Sequence, residues 1–268
     1  MGATSHSKMG KSTIKTGLVS ISFRKLSASE LIEEVVKAGQ QGLEWGGDVH
    51  VPHGNVKVAE QVARWTRDAG LETAAYGSYY RVGPTEKSPE IEAVLDSAEA
   101  LGAPAVRVWA GNKGSADADP QDRQSVIEDT ERICKLAAKR SLRIAFEYHG
   151  GTLTDDIESS VDLLEALPME NLDSLWQPPN GQPEDICEKS LRRILPRVSN
   201  VHVFHWGKGG GADRHLLSEG KERWTRYFEL LAEDPKPRWA LLEFAKDDLL
   251  DNYHRDAKVL HALVQSAP

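Results

Sequence analysis

Four residues of this chain, Glu147, Gln177, His202 and Glu243, stand at or near the ends of short apolar runs, in RIAFE, LDSLWQ, SNVHVFHW and WALLE. Side chains alternate along a strand, so Glu147 shares a face with Ala145, opposite Ile144 and Phe146. In the same way Glu243 shares a face with Leu241, opposite Ala240, Leu242 and Phe244. If the four runs are consecutive parallel strands, about 4.8 Å apart, their inward side chains converge at one height on a single ion. Two carboxylates, an imidazole and an amide oxygen suit Mn²⁺ or Mg²⁺ better than a structural zinc. A divalent ion holding a carbonyl oxygen and a neighbouring hydroxyl acidifies the C–H between them, and Glu147 and Glu243 would then remove and return that proton.

Each of these residues also has a purely structural reading. Glu147 or Glu243 alone could pair with a buried cation such as Arg107, whose direction, into a barrel or toward its shell, the pattern leaves open. His202 alone could be a satisfied core histidine. Their joint occurrence on consecutive strands favours ligation by Glu147, His202 and Glu243, and leaves Gln177 open between ligand and filler. His149, two residues beyond Glu147, is a candidate substrate ligand or general acid, or else a loop cap. His50, close to Asp48 and His53, could reach a substrate hydroxyl or be an ordinary loop histidine. Lys208 and Arg214 flank a glycine-rich loop that could meet a phosphate or simply be solvated. Trp109, like Trp45, Trp176 and Trp206, falls at or just past a strand end, where an indole suits the C–H face of a sugar or cyclic polyol, and half of these four are expected to pack instead.

The elements that must position these side chains repeat along the chain. Short apolar runs near 16–22, 42–45, 73–76, 105–109, 143–148, 172–177, 200–204 and 239–243 alternate with amphipathic stretches, the pattern of βα units. Helices are expected from the Ser27/Glu30 capping box, from Ser88-Pro89, and over 56–69, 122–140, 155–167, 183–195, 222–233 and 250–265. Eight such strands make a (β/α)₈ TIM barrel, one α/β domain. The polar, glycine-rich segments follow strands, and in a parallel barrel those loops gather on the carboxyl-terminal face where sites are built.

A single barrel over residues 16–268 fits the length of 268 residues, with residues 1–15 a disordered extension. The Gly10-Lys11-Ser12 triplet lacks the rest of a phosphate loop, and His6 spoils a myristoylation signal at Gly2. A net charge of −8 argues against nucleic acid as partner, and no apolar run is long enough for a membrane span. Cys134 and Cys187 have neither metal-knuckle nor disulfide spacing. A cytoplasmic protein acting on a small molecule is expected; a homo-oligomer is compatible with the sequence.

GLEWGGD on the second strand, the strand-end Glu147, His202 and Glu243, and ADRHLLSEGKERW after the seventh strand together resemble the xylose isomerase-like sugar isomerase/epimerase barrels, over about Thr16 to the end. The resemblance implies that Glu147, His202 and Glu243 are metal ligands. Gln177 stands where an aspartate is usual, and Asn180 where a substrate-binding histidine is usual. It implies a metal-dependent sugar or keto-sugar isomerase or epimerase working through an enediolate. EYHGGTLTD also resembles dehydratases of the same superfamily, which implies the alternative of a lyase on a keto-polyol with His149 as acid. A sugar-binding barrel without catalysis is a further reading, motivated by Gln177 and Asn180. Asp213-Arg214-His215 resembles a metal-binding triplet of endonuclease IV, but that enzyme's other ligands are missing here and the chain is acidic.

Overall fold

The computed structural model describes residues 14–85 and 88–267. Most of the expected N-terminal extension, with Gly2, His6 and the Gly10-Lys11-Ser12 triplet, lies outside the described residues. Eight parallel strands close on themselves in sequence order: β1 (Ile14–Val19), β2 (Gly42–Gly46), β3 (Glu72–Arg81), β4 (Ala105–Trp109), β5 (Arg143–Glu147), β6 (Leu172–Trp176), β7 (Val198–Val203) and β8 (Arg238–Leu242). The ring is shut by β1 against β8, with Gly17 opposite Leu241. Each strand is followed by a helix: α1 (Ala28–Lys37), α2 (Val56–Asp68), α3 (Ile91–Leu101), α4 (Pro120–Ala138), α5 (Ile157–Ala166), α6 (Glu184–Ile194), α7 (Lys221–Ala232) and α8 (Leu250–Ser266). The chain is therefore the TIM barrel that its alternating pattern predicts.

Alternation sorts the core into two parts. Leu43, Trp45, Val106, Val108, Ile144 and Phe146 join the large layer between strands and helices, whereas Val19, Ala74 and Leu241 pack inside the barrel. Helix starts follow local chemistry. The Ser27/Glu30 capping box opens α1 as expected, and Asp119 with Asp122 makes a second one ahead of Pro120 in α4.

Several boundaries differ from the expected ones. β1 begins at Ile14, inside the presumed extension, because Ile14 and Lys15 pair with Arg238 and Trp239; residues 20–23 then form a 3₁₀ turn instead of prolonging it. β3 runs on to Arg81, with a register shift against β4 between Gly77 and Tyr80. Tyr79 has a φ of 57° at that bulge, which turns its ring inward. Ser88-Pro89 does not open α3. The Ser88 hydroxyl closes the preceding loop, accepting from the Arg81 amide and donating to its carbonyl, and Glu90 stands at the cap position. Phe244, expected to face the shell, packs against the interior cluster: its φ of 53° reverses the alternation just past β8.

Candidate functional site

Glu147, His202 and Glu243 converge at the carboxyl end of the barrel, each buried, with ligand atoms within 4.8 Å of one another. Three strand ends bring them there. Glu147 closes β5 opposite Leu175, His202 sits in β7 opposite Leu241, and Glu243 follows β8, its amide bonded to the Val203 carbonyl at 3.0 Å. His202 Nδ1 lies 3.5 Å from Glu243 Oε2 and 3.7 Å from Glu147 Oε1, and makes no hydrogen bond. Gln177, one residue beyond β6, donates through Nε2 to the Tyr148 carbonyl at 2.9 Å and to Glu147 Oε1 at 3.3 Å, while its own Oε1 is buried without a partner.

Two residues outside the expected set complete the site. Glu44, fully buried in β2, accepts at Oε2 from His202 Nε2 at 3.1 Å and at Oε1 from Arg107 Nε at 2.7 Å. Arg107, in β4, points into the barrel and also donates through Nη1 to Glu147 Oε2, an oxygen that the Trp109 indole reaches at 2.5 Å. The direction that the pattern left open is thus inward. A signal was present: Glu44 lies between Leu43 and Trp45, and Arg107 between Val106 and Val108, the same alternation that marks Glu147. Gly77 makes room for the pair, because a Cβ there would lie 2.6 Å from Arg107 Nη2 and 2.9 Å from Glu44 Oε1.

The charges follow from this packing. Burial by itself would raise the Glu44 and Glu147 carboxyls. Arg107, with His202, outweighs it, holding Glu44 down to about 2 and Glu147 below the usual carboxylate range. His202 feels the opposite pull. Burial disfavours its charge, but Glu243 and Glu44 push it up to about 10, so the surroundings favour a positive charge on that ring. A divalent cation fits the same place. His202 Nδ1 and Gln177 Oε1 are free to donate, carboxylates stand on both sides, and Glu44 fixes the imidazole from behind, as a carboxylate does behind a metal-bound histidine.

The remaining candidates divide. His149 is half-buried beside the centre, its ring 4.9 Å from that of Trp109 and its Nδ1 bonded to the Gly150 carbonyl at 2.7 Å, which leaves Nε2 free. Asn180 and Lys208 are exposed and line one cavity on the loops after β6 and β7. Arg214 instead pairs with Asp248 and stacks over Phe244 at 4.5 Å, so it ties the loop after β7 to the loop after β8. His50 is a correction. Both ring nitrogens are occupied, by the Ser20 hydroxyl at 3.0 Å and the Leu26 carbonyl at 3.1 Å, and the side chain holds the first two βα loops together. Of the strand-end tryptophans, Trp45 and Trp176 are fully buried packing residues, Trp176 bonding Ser190 at 2.9 Å, while Trp109 and Trp206 remain at the mouth. Asp213 and His215 pair with each other at 3.0 Å in the loop after β7, and the three-residue cluster at the barrel mouth does not include them.

Fold and donor set together define a TIM barrel with a candidate divalent-metal centre at the carboxyl ends of its strands. The chain belongs to the xylose isomerase-like TIM barrel family, which it matches over residues 32–263. It is 28% identical over 206 residues to a 3-dehydroshikimate dehydratase of Bacillus anthracis, covering 70% of this chain and 71% of that one. Among solved structures, the probable 3-DHS dehydratase AsbF of Bacillus anthracis superposes with a TM-score of 0.78 at 21% identity, covering 92% of this chain and 99% of that one. A xylose isomerase-like TIM barrel protein from Mycobacterium smegmatis, solved in complex with magnesium, gives 0.70 at 14% identity, covering 95% and 98%. At these identities the structural likenesses speak for the fold alone.

Proposed function

We propose that this protein is a divalent-metal-dependent lyase that removes water from a cyclic hydroxy-ketone of the 3-dehydroshikimate type. The observation that carries the reading is the unequal pair of carboxylates around His202. Glu147 is tied at Oε2 by Arg107 and Trp109 and is held in its ionised form, which makes it a ligand and a poor base. Among the described residues Glu243 makes an ion-pair contact only with His202, with Arg107 acting on it from farther off, and it is the carboxylate left to take a proton. One base and one acid serve an elimination, whereas epimerisation uses a second group to return the proton on the opposite face.

Glu147, His202 and Glu243, with Gln177 through its free Oε1, would hold Mn²⁺ or Mg²⁺, which when bound stabilises negative charge on a carbonyl oxygen and so acidifies the neighbouring C–H. Glu243 takes that proton. His149 donates from Nε2 to the departing hydroxyl, and water leaves as the C–O bond breaks. For 3-dehydroshikimate, loss of one water and tautomerisation gives a dihydroxybenzoate. Trp109 and His149, in contact with their planes 37° apart, offer an aromatic wall for the ring. The dehydratase relative at 28% identity supports a lyase ahead of the isomerase or epimerase that the strand-end ligands alone suggested.

The test is to incubate the protein with 3-dehydroshikimate and Mn²⁺ or Mg²⁺ and to follow the ultraviolet absorbance of the aromatic product, with Glu243→Gln as control. Turnover by the wild type alone supports the lyase. Solvent deuterium entering a panel of keto-sugars, with no aromatic product, would return the isomerase or epimerase reading. Neither result, in metal-loaded protein, leaves a binding barrel.

A further inference from the structure

We propose that the cavity between the loops leading into α6 and α7 is an oxyanion pocket that holds the carboxylate or phosphate tail of the substrate. Its volume is about 340 Å³, and its only ionisable lining residues are Lys208 and Arg223. Both are cations in a chain whose net charge is −8. Among the described residues neither has an ion-pair partner, in contrast to Arg24 and Arg214 nearby on the same face, which are matched by Asp48 and Asp248.

Two of the lining residues also carry buried hydrogen-bond donors without an acceptor among the described residues. Arg223 Nε and Trp206 Nε1 are both buried and unpartnered. Donors left without an acceptor are costly, and a small turn of either side chain toward the cavity would let an acceptor from outside the chain satisfy them. Two cations and an indole N–H answer only to an anion with several lone pairs.

The walls are fixed ahead of any ligand. Arg223 is anchored through Nη2 to Cys187 Sγ at 3.8 Å, and Trp206 stacks on Phe204 with centroids 3.8 Å apart and planes 17° from parallel. Pro178, Pro179 and Pro183 stiffen the opposite side. The pocket adjoins the candidate metal centre through the chain itself: Pro178 follows Gln177 directly, and Phe204 lies two residues beyond His202. A substrate whose reacting carbon sits between Glu243 and His149 would therefore reach it with an acidic substituent. That placement of the substrate rests on the lyase reading above; the binding of anions does not.

The experiment uses the full chain, dialysed against chelator so that no metal competes, and titrates it separately with sodium phosphate and sodium benzoate at constant ionic strength. The readout is the indole ¹⁵N–¹H signal of Trp206, assigned with Trp206→Phe. Saturable shifts in the millimolar range are expected, weakened about tenfold or more in Lys208→Met/Arg223→Met and partly kept in Arg223→Lys, with circular dichroism showing that the variants fold. Tighter phosphate marks a phosphorylated substrate, and tighter benzoate a carboxylic acid. Equal affinity in the wild type and the double variant, or no saturation in the wild type, would overturn the pocket. A kinetic arm then tests the tail: Arg223→Met should raise KM for 3-dehydroshikimate about tenfold, leave kcat within about twofold and spare the uncharged methyl ester. If 3-dehydroshikimate is not turned over at all, the lyase reading fails while the anion titration still decides the pocket.

Discussion

The two sides of the barrel mouth are built on opposite rules. On the side of β2 to β5, the buried charges are paired within the protein: Glu44 and Glu147 flank Arg107, of whose nitrogens Nη2 has no hydrogen-bond partner among the described residues, and Trp109 adds an N–H to Glu147. On the side of β6 to β8, Gln177 Oε1 and His202 Nδ1 have no hydrogen-bond partner among the described residues, and Glu243 lies 3.5 Å from His202 Nδ1. The closed side is a charge-paired structural unit that orients ligands. The open side becomes complete only when something positive binds.

Removing Arg107 attacks the closed side. Arg107→Met would leave Glu44 and Glu147 buried without compensation, and a loss of about 3–5 kcal/mol is expected in urea unfolding, or failure to fold. A loss under about 1 kcal/mol would mean that the network is less closed than its geometry. Glu243→Gln attacks the open side. Here activity should fall about 10²–10⁴-fold and metal retention should drop, while the metal-free protein loses less stability than Arg107→Met does. If the two variants destabilise alike, the comparison is wrong.

Metal should distinguish the sides a third way. Saturating Mn²⁺ or Mg²⁺, at about one hundred times Kd, should stabilise the wild type by about 2.7 kcal/mol in a thermal or urea melt. Gln177→Asp, which adds a negative charge to the open side, should tighten that binding about tenfold, an effect that calorimetry reads directly. Unchanged affinity would remove Gln177 from the ligand set.

Asp256 sharpens the comparison from outside the site, since it shows what a buried carboxylate becomes without an arginine. It accepts the Leu217 amide at 2.8 Å, yet burial pushes its carboxyl up from 3.8 to about 6. Ionisation is harder in the folded chain than in the unfolded one, so the cost is absent below pH 4, grows as pH rises, and is complete above pH 6. Asp256→Asn, which keeps an acceptor for Leu217, should therefore gain on the order of 1–2 kcal/mol relative to wild type above pH 6 and nothing at pH 3.5. A gain independent of pH would point to repacking instead.

Much of this was legible in the chain. The eight apolar runs, the capping box at Ser27 and the alternation around Glu147 depend on periodicities of two and 3.6, which are local properties of the backbone, and the structure follows them. Glu44 and Arg107 obey the same alternation and were readable too. What hid them was the absence of any local sign that an arginine from β4 and a glutamate from β2 meet. That meeting depends on Gly77 lacking a Cβ and on the bulge that swings Tyr79 over the guanidinium, 5.2 Å from its ring.

The sequence by itself determined the barrel, the strand ends that carry the polar side chains, and three of the residues gathered there. Only the tertiary structure decided which carboxylate is bound and which is free, that His50 holds loops together, and that Phe244 turns inward. The reason is physical. Periodicity fixes which way a side chain leaves its strand, but a partner two or three strands away, or one residue at positive φ, fixes whether that side chain arrives satisfied or still in need of a ligand.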